Sequence, residues 1–216
     1  MPNVALLSDA ESRHLATGTL FVVRPVVPQP PEGTHSLVWN ANEGEDLPHL
    51  WLADNDYGEY PGDVDFDQYV RCPFGAPGDT LLCKEAWAYT TDSDADIIWE
   101  RDLLYRATDP DYYPRRWRPA STMPARFVRH RPVVTEAGVM RVNDVCGADA
   151  ERLGLNVVAK LPAFPPRGTD VNALIDVVGK QVIAAYWNHR YPKYPYEQSP
   201  WVWWASVKRE EHNANP

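Results

Sequence analysis

Proline sets the first limit on this chain. It occupies 21 of the 216 positions, about twice the ordinary share of roughly 5%. The ring fixes φ and removes a backbone donor, so proline suits loops and strand edges and is poor inside helices. A loop-rich fold with a large β component is the expectation. The length fits one domain, residues 1–216, with enough core that folding needs no metal or disulfide staple. Lys and Arg number 21 against 30 Asp and Glu, a formal net charge of −9. That excludes a uniformly basic nucleic-acid coat and leaves room for a local basic patch. Cys72, Cys83 and Cys146 form no CxxC and argue against a secreted disulfide framework. No apolar run approaches the roughly 18 residues of a membrane span. With Asp9 and Glu11 so early, the N-terminus lacks signal-peptide character. A cytoplasmic location follows as an expectation.

Ser8-Asp9-Ala10-Glu11 has the form of a capping box and predicts a short helix from about Asp9 to Leu15. Leu20 to Val27 reads as a strand cut by Pro25. Residues 28–70 then change character: from Glu43 to Asp67 there are nine acids and no Lys or Arg. This stretch reads as an acidic, proline-rich loop insertion with its carboxylates in water. Pro77-Gly78 suits the centre of a type II turn. Beyond it, Thr80 to Tyr89 should be one buried strand and Leu103 to Ala107 another. Phe127 to Val134 and Val139 to Val142 read as two strands joined around Glu136-Ala137-Gly138. A short helix over Ala148 to Leu153 closes at Gly154. Val171, Leu174, Ile175, Val178, Val182 and Ala185 predict a long helix from about Asp170 to Asn188, and Trp201 to Lys208 a last strand. The class expected is α+β: an open sheet or small barrel on one principal helix.

From Tyr112 to Pro132 the charge inverts. Six arginines, among them Arg118, Arg126 and Arg129, stand beside Tyr112, Tyr113, Trp117 and Phe127 with only positive charge between them. Guanidinium groups fork onto phosphate and stack on aromatic or base planes, so the pattern fits a nucleotide or single-stranded nucleic-acid site. It equally fits charge balance against the acidic insertion. Lys84-Glu85 interrupts an apolar strand, so one of the two points inward, as a buried ion-pair member or a ligand contact. The tryptophans serve as core or as stacking platforms. Trp201 and Trp203 share one strand face and Trp204 the other, so a sheet with one buried face would leave an indole exposed or against a ligand. The six histidines show no metal-binding spacing, and no cofactor fingerprint appears.

Cys72 to Trp87 (CPFGAPGDTLLCKEAW) resembles the CPYG-x-PGD-x-LWVRETW block of phage- and prophage-borne ASCH-like proteins. Trp117 to Arg126 (WRPASTMPAR) resembles their WRPS-x-x-MPR block, and Ser199 to Trp203 (SPWVW) their terminal NPWVW strand. Ala148 to Leu155 is similar to their EADA-x-x-EGI helix, and Thr17 to Pro25 faintly to their GRKTQTRRP start. The resemblance implies a PUA-like (ASCH) β-barrel with flanking helices, a fold associated with RNA, nucleotide or modified-base recognition, and a host-cytoplasm setting. The expected ligand contacts are Lys84, Glu85, Trp87, Arg106 and Trp117, followed by Arg118, Ser121, Arg126, Arg129 and Trp203. One branch of the superfamily hydrolyses an acetyl amide on cytidine with a lysine, a threonine and a glutamate. The corresponding positions here are Thr19, Val22 and Leu153, which removes that chemistry. Were the chain an amidohydrolase or ribonuclease, Lys84 and Glu85 would be the acid–base pair. A protein partner at Tyr191–Tyr196 and the acidic insertion is the third reading.

Overall fold

The computed structural model describes residues 3–30, 37–40, 49–52, 72–90, 103–114, 116–163 and 165–209. The chain starts as β1 (Asn3–Leu6) and passes at once into α1 (Asp9–Leu15). The capping box forms: the Glu11 amide donates to Ser8 Oγ at 3.2 Å, and the Ser8 amide to the Glu11 carboxylate at 2.7 Å. Two donors that a helix start would leave free are thereby satisfied. α1 buries Glu11, Ser12 and Leu15, so a seven-residue helix carries a carboxylate and a hydroxyl into the interior.

β2 (Thr19–Pro25) follows. β3 (Leu37–Asn40) and β4 (His49–Leu52) pair antiparallel with each other. β5 (Leu81–Lys84) runs parallel to β1, and β6 (Trp87–Tyr89) pairs antiparallel with β7 (Leu103–Tyr105). β8 (Val133–Arg141) and the final β9 (Trp201–Lys208) complete an antiparallel sheet in the order β2-β9-β8. The Leu81 and Cys83 amides donate to the carbonyls of Pro132 and His130 at 2.9 and 3.1 Å. These bonds join β5 to the segment entering β8, so pairing runs from β1 through β5, β8 and β9 to β2.

The class is α+β, as expected, but among the described residues no ladder closes β2 onto β1. Side chains span that edge instead: Arg24 Nη2, from β2, donates to the Leu6 carbonyl of β1 at 2.6 Å. The chain between the two strands is spent on α1, whose Glu11 takes the same guanidinium at 2.8 Å.

Alternation along β9 builds two cores. Trp201, Trp203, Ala205 and Val207 pack with Leu20 and Val22 of β2, Leu81 and Cys83 of β5, and Phe74. Val202 and Trp204 face the other way, toward Phe21 and Val23, α2 (Asp149–Arg152), and Ile183 and Trp187 of α3 (Val171–Arg190). Both sheet faces are covered, so the one-faced sheet that would have left an indole of β9 exposed or against a ligand is not what forms, and Trp203, named as a ligand contact, is 1% exposed and packs in the core. A third cluster gathers Leu82, Trp87, Leu103, Met123, Phe127 and Val128.

Other differences have local causes. The single strand over Thr80–Tyr89 breaks at Glu85-Ala86, where the Ala86 carbonyl accepts from the Arg106 amide at 3.0 Å. The turn at Glu136-Ala137-Gly138 does not form, because these residues pair with Ser206, Ala205 and Trp204. β8 is therefore one strand, irregular between Val134 and Glu136. At Gly138 the Trp204 indole lies so close that an added Cβ would stand 2.8 Å from its Nε1. Pro77-Gly78 does turn the chain, closed by the Asp79 amide on the Ala76 carbonyl at 3.0 Å with Gly78 at φ +95°. α3 is capped by Asp170, and its buried stripe is Gly179, Ile183 and Trp187 rather than the one expected. Val171 is half exposed and Ala185 faces out. Within the acidic stretch read as loop, β3 and β4 form a ladder; the other residues of Glu43–Asp67 lie outside the described residues. No helix among the described residues is long and apolar enough to cross a membrane.

Candidate functional site

A cleft of about 550 Å3 opens where four parts of the chain meet. Leu7, Ser8 and Asp9 come from the start of α1, Ala86 and Arg106 from the break after β5 and the end of β7. Trp117 to Ala120 form a third wall, and Tyr186, His189 and Arg190 of α3 the fourth. The volume is in the range of small-molecule sites.

The third wall is fixed through β6. Trp87 and Arg118 exchange backbone hydrogen bonds, Trp87 N to Arg118 O at 3.2 Å and Arg118 N to Trp87 O at 2.8 Å. The Arg118 guanidinium then lies 5.2 Å from the Trp87 ring centre and 5.0 Å from that of Tyr89. Cation–π attraction holds it there. Trp87 is 2% exposed and its Nε1 donates to Thr122 Oγ1 at 3.3 Å. Its face is covered by Arg118, so it supports the wall rather than meeting a ligand. Arg118 is exposed and Trp117 half-buried, and both line the cleft. On the rim Arg106 Nε donates to Asp9 Oδ2 at 2.7 Å.

Beneath the cleft Glu11 receives two guanidiniums, Arg24 at 2.8 Å and Arg190 at 3.6 Å. Arg24 Nη2 and Arg190 Nη2 also both donate to the Leu6 carbonyl at 2.6 Å. Burial pushes the Glu11 carboxyl up, but Arg24 and Arg190 outweigh it and hold the group below the usual carboxylate range. The neighbouring Tyr186 hydroxyl is pushed up to about 12, by burial first and by the Glu11 carboxylate second.

Glu85 belongs to a different cluster. It is 1% exposed and takes Arg129 in a fork, Nε to Oε1 at 2.7 Å and Nη2 to Oε2 at 2.8 Å. Ser12 Oγ donates to Oε2 at 2.6 Å, and His130 Nε2 stands 3.7 Å from Oε1. Burial holds the His130 imidazole below its ordinary pKa despite Glu85, with Arg129 and Arg209 adding to the effect. Of the two readings of Lys84-Glu85, the geometry is that of a buried ion pair, and the partner is Arg129. Glu85 is engaged by Arg129, Ser12 and His130, and no hydrogen bond or ion pair joins it to Lys84 among the described residues. Burial also pushes the Cys83 thiol well above its usual range.

Of the expected contacts, the cleft brings together Arg106, Trp117 and Arg118. Ser121 is exposed on the turn beyond Ala120 and Arg126 lies over the Phe127 ring at 4.7 Å, both outside the lining. Arg129 is engaged by Glu85 and lies 4.1 Å over the Tyr105 ring. Of the three positions that the resemblance sets against a lysine, a threonine and a glutamate, Thr19 is exposed at the start of β2, while Val22 and Leu153 are core. Sequence reasoning missed Asp9, Glu11, Tyr186, His189 and Arg190. The acids were absorbed into the capping box, and the basic pair closes α3, where cations are favourable on helix-dipole grounds alone. Among the described residues no group of three His, Cys, Asp or Glu side chains is placed to hold a metal.

Comparison with protein-family models, curated proteins and solved structures found no match.

Proposed function

We propose that the chain is an ASCH/PUA-like recognition module that binds a nucleotide, a modified nucleobase or single-stranded nucleic acid in this cleft. One observation carries the reading: three arginines from separate segments, Arg106, Arg118 and Arg190, converge with Trp117 on one concavity lined by a single carboxylate, Asp9, among the described residues. Guanidinium forks recognise phosphate, and Arg118, backed by Trp87 and Tyr89, presents its outer face for a base to stack on. Asp9 Oδ1, buried and without a hydrogen-bond partner, supplies an acceptor for a sugar hydroxyl or base amine. The resemblance of Cys72–Trp87 and Trp117–Arg126 to ASCH-like blocks supports the same reading, since both segments supply cleft walls.

The test is a titration with the four ribonucleoside monophosphates and a short RNA, at about 50 and 200 mM salt. Affinity falls with salt, Arg118→Ala weakens it about tenfold, and Arg126→Ala leaves it unchanged. Flat traces, or equal effects of the two substitutions, defeat the proposal.

A further inference from the structure

The charges of the cleft and its floor do not cancel. Four guanidiniums, Arg24, Arg106, Arg118 and Arg190, face two carboxylates, Asp9 and Glu11, an excess of two positive charges among the described residues. The pairing is uneven. Glu11 is closer to Arg24, at 2.8 Å, than to Arg190, at 3.6 Å. Arg190 is fixed on its other sides, with Nε on the Tyr191 hydroxyl at 3.0 Å and Nη2 on the Leu6 carbonyl at 2.6 Å. Its Nη1 makes no hydrogen bond among the described residues, and its side chain, 22% exposed, lines the cleft. An arginine tied at two nitrogens and open at the third is already oriented, so a ligand that takes the third loses little side-chain entropy. Partial burial also strengthens its attraction for an anion.

We infer that the Arg190 end of the cleft is a subsite for a phosphate monoester dianion, the terminal phosphate of a mononucleotide, with the Leu6 carbonyl and the Tyr191 hydroxyl holding Arg190 in place. This rests on the reading of the cleft as a nucleotide site. A phosphodiester brings one negative charge, whereas a terminal phosphate carries about 1.5 to 2 at neutral pH. Only the second matches the excess. Arg106 and Arg118 then face the same ligand from the rim and the third wall.

Calorimetry on the full chain, at neutral pH and low salt, with each ribonucleoside 5′-monophosphate, its methyl ester and the parent nucleoside separates the possibilities. The monophosphate binds about tenfold more tightly than its methyl ester, and inorganic phosphate competes with it. Arg190→Lys, which keeps the charge but loses the planar group held by Leu6 and Tyr191, weakens the monophosphate several-fold and leaves the nucleoside unchanged. Arg118→Gln, at an exposed position, narrows the gap between monophosphate and ester without risk to the buried cluster. Equal affinity for monophosphate and methyl ester overturns the subsite and leaves the nucleotide cleft standing. Failure of all three probes to bind overturns both.

Discussion

Trp87 and Arg118 hold each other twice, by a reciprocal pair of backbone hydrogen bonds and by a guanidinium 5.2 Å from the indole centre. The backbone pair sets where the third wall of the cleft stands, and the stack sets which way its arginine faces. Arg118→Ala is expected to cost about 1 kcal/mol of stability, the cation–π contribution at such a site. Arg118→Lys keeps the charge but gives up the planar fork, and should recover stability better than nucleotide affinity. Urea melts and titrations of the two variants check this; equal recovery of both would count against a ligand-facing role.

Glu85 is sealed while Arg129 is 30% exposed, so the two partners are not equivalent. Arg129→Ala strands a buried carboxylate and should destabilise by about 3 kcal/mol. Adding Glu85→Leu removes the stranded charge, and the double variant should be the more stable of the two. Chemical denaturation gives the order directly.

Acid should weaken the fold in two stages. His130 has a folded pKa below its ordinary 6.5, so the unfolded chain binds more protons there, and stability falls as pH drops from about 6.5 toward the folded value. Glu11 is also lowered, from 4.5, and its contribution is lost in a second stage as pH falls from there through its folded value. His130→Gln should flatten the upper stage alone. Denaturation midpoints measured from pH 7 downward would show an unchanged upper slope in this variant if the assignment were wrong.

Alanine is the better helix former than glycine by about 1 kcal/mol, yet Gly179→Ala should destabilise by about 1 to 3 kcal/mol. A Cβ there would run into the backbone carbonyl of Gly147, and one at Gly147 into that of Asp176. The two glycines let the turn before α2 lie directly on α3, pinned by the Asp176 carboxylate on the Gly147 amide at 2.7 Å. A thermal melt showing stabilisation would refute this packing.

Local chemistry was the legible part of the sequence. Ser8 and Glu11 announce α1, Pro77-Gly78 the turn, and Asp170 with the apolar periodicity of α3 its long helix, because each signal acts over four residues or one helical repeat. Pairing partners were less visible. Glu136-Ala137-Gly138 reads as a turn until Trp204 needs the space over Gly138, and a glycine inside a helix, Gly179, is unfavourable on propensity alone until Gly147 is found against it. The site divides in the same way. Trp117 and Arg118 stood out by composition and Arg106 entered only among the contacts named with the resemblance, whereas Arg190 and Glu11, far apart in sequence, become a site only through the Leu6 carbonyl and Arg24.

Photo-crosslinking of 4-thiouridine monophosphate to the intact chain, read out by peptide mass spectrometry, locates the ligand on the molecule. Adducts are expected on the cleft lining, at Trp117, Tyr186 or His189, and should disappear when excess unlabelled nucleotide is added. Competable adducts concentrated instead at the exposed Tyr112 and Tyr113, or around Arg126, would contradict the cleft as the binding site.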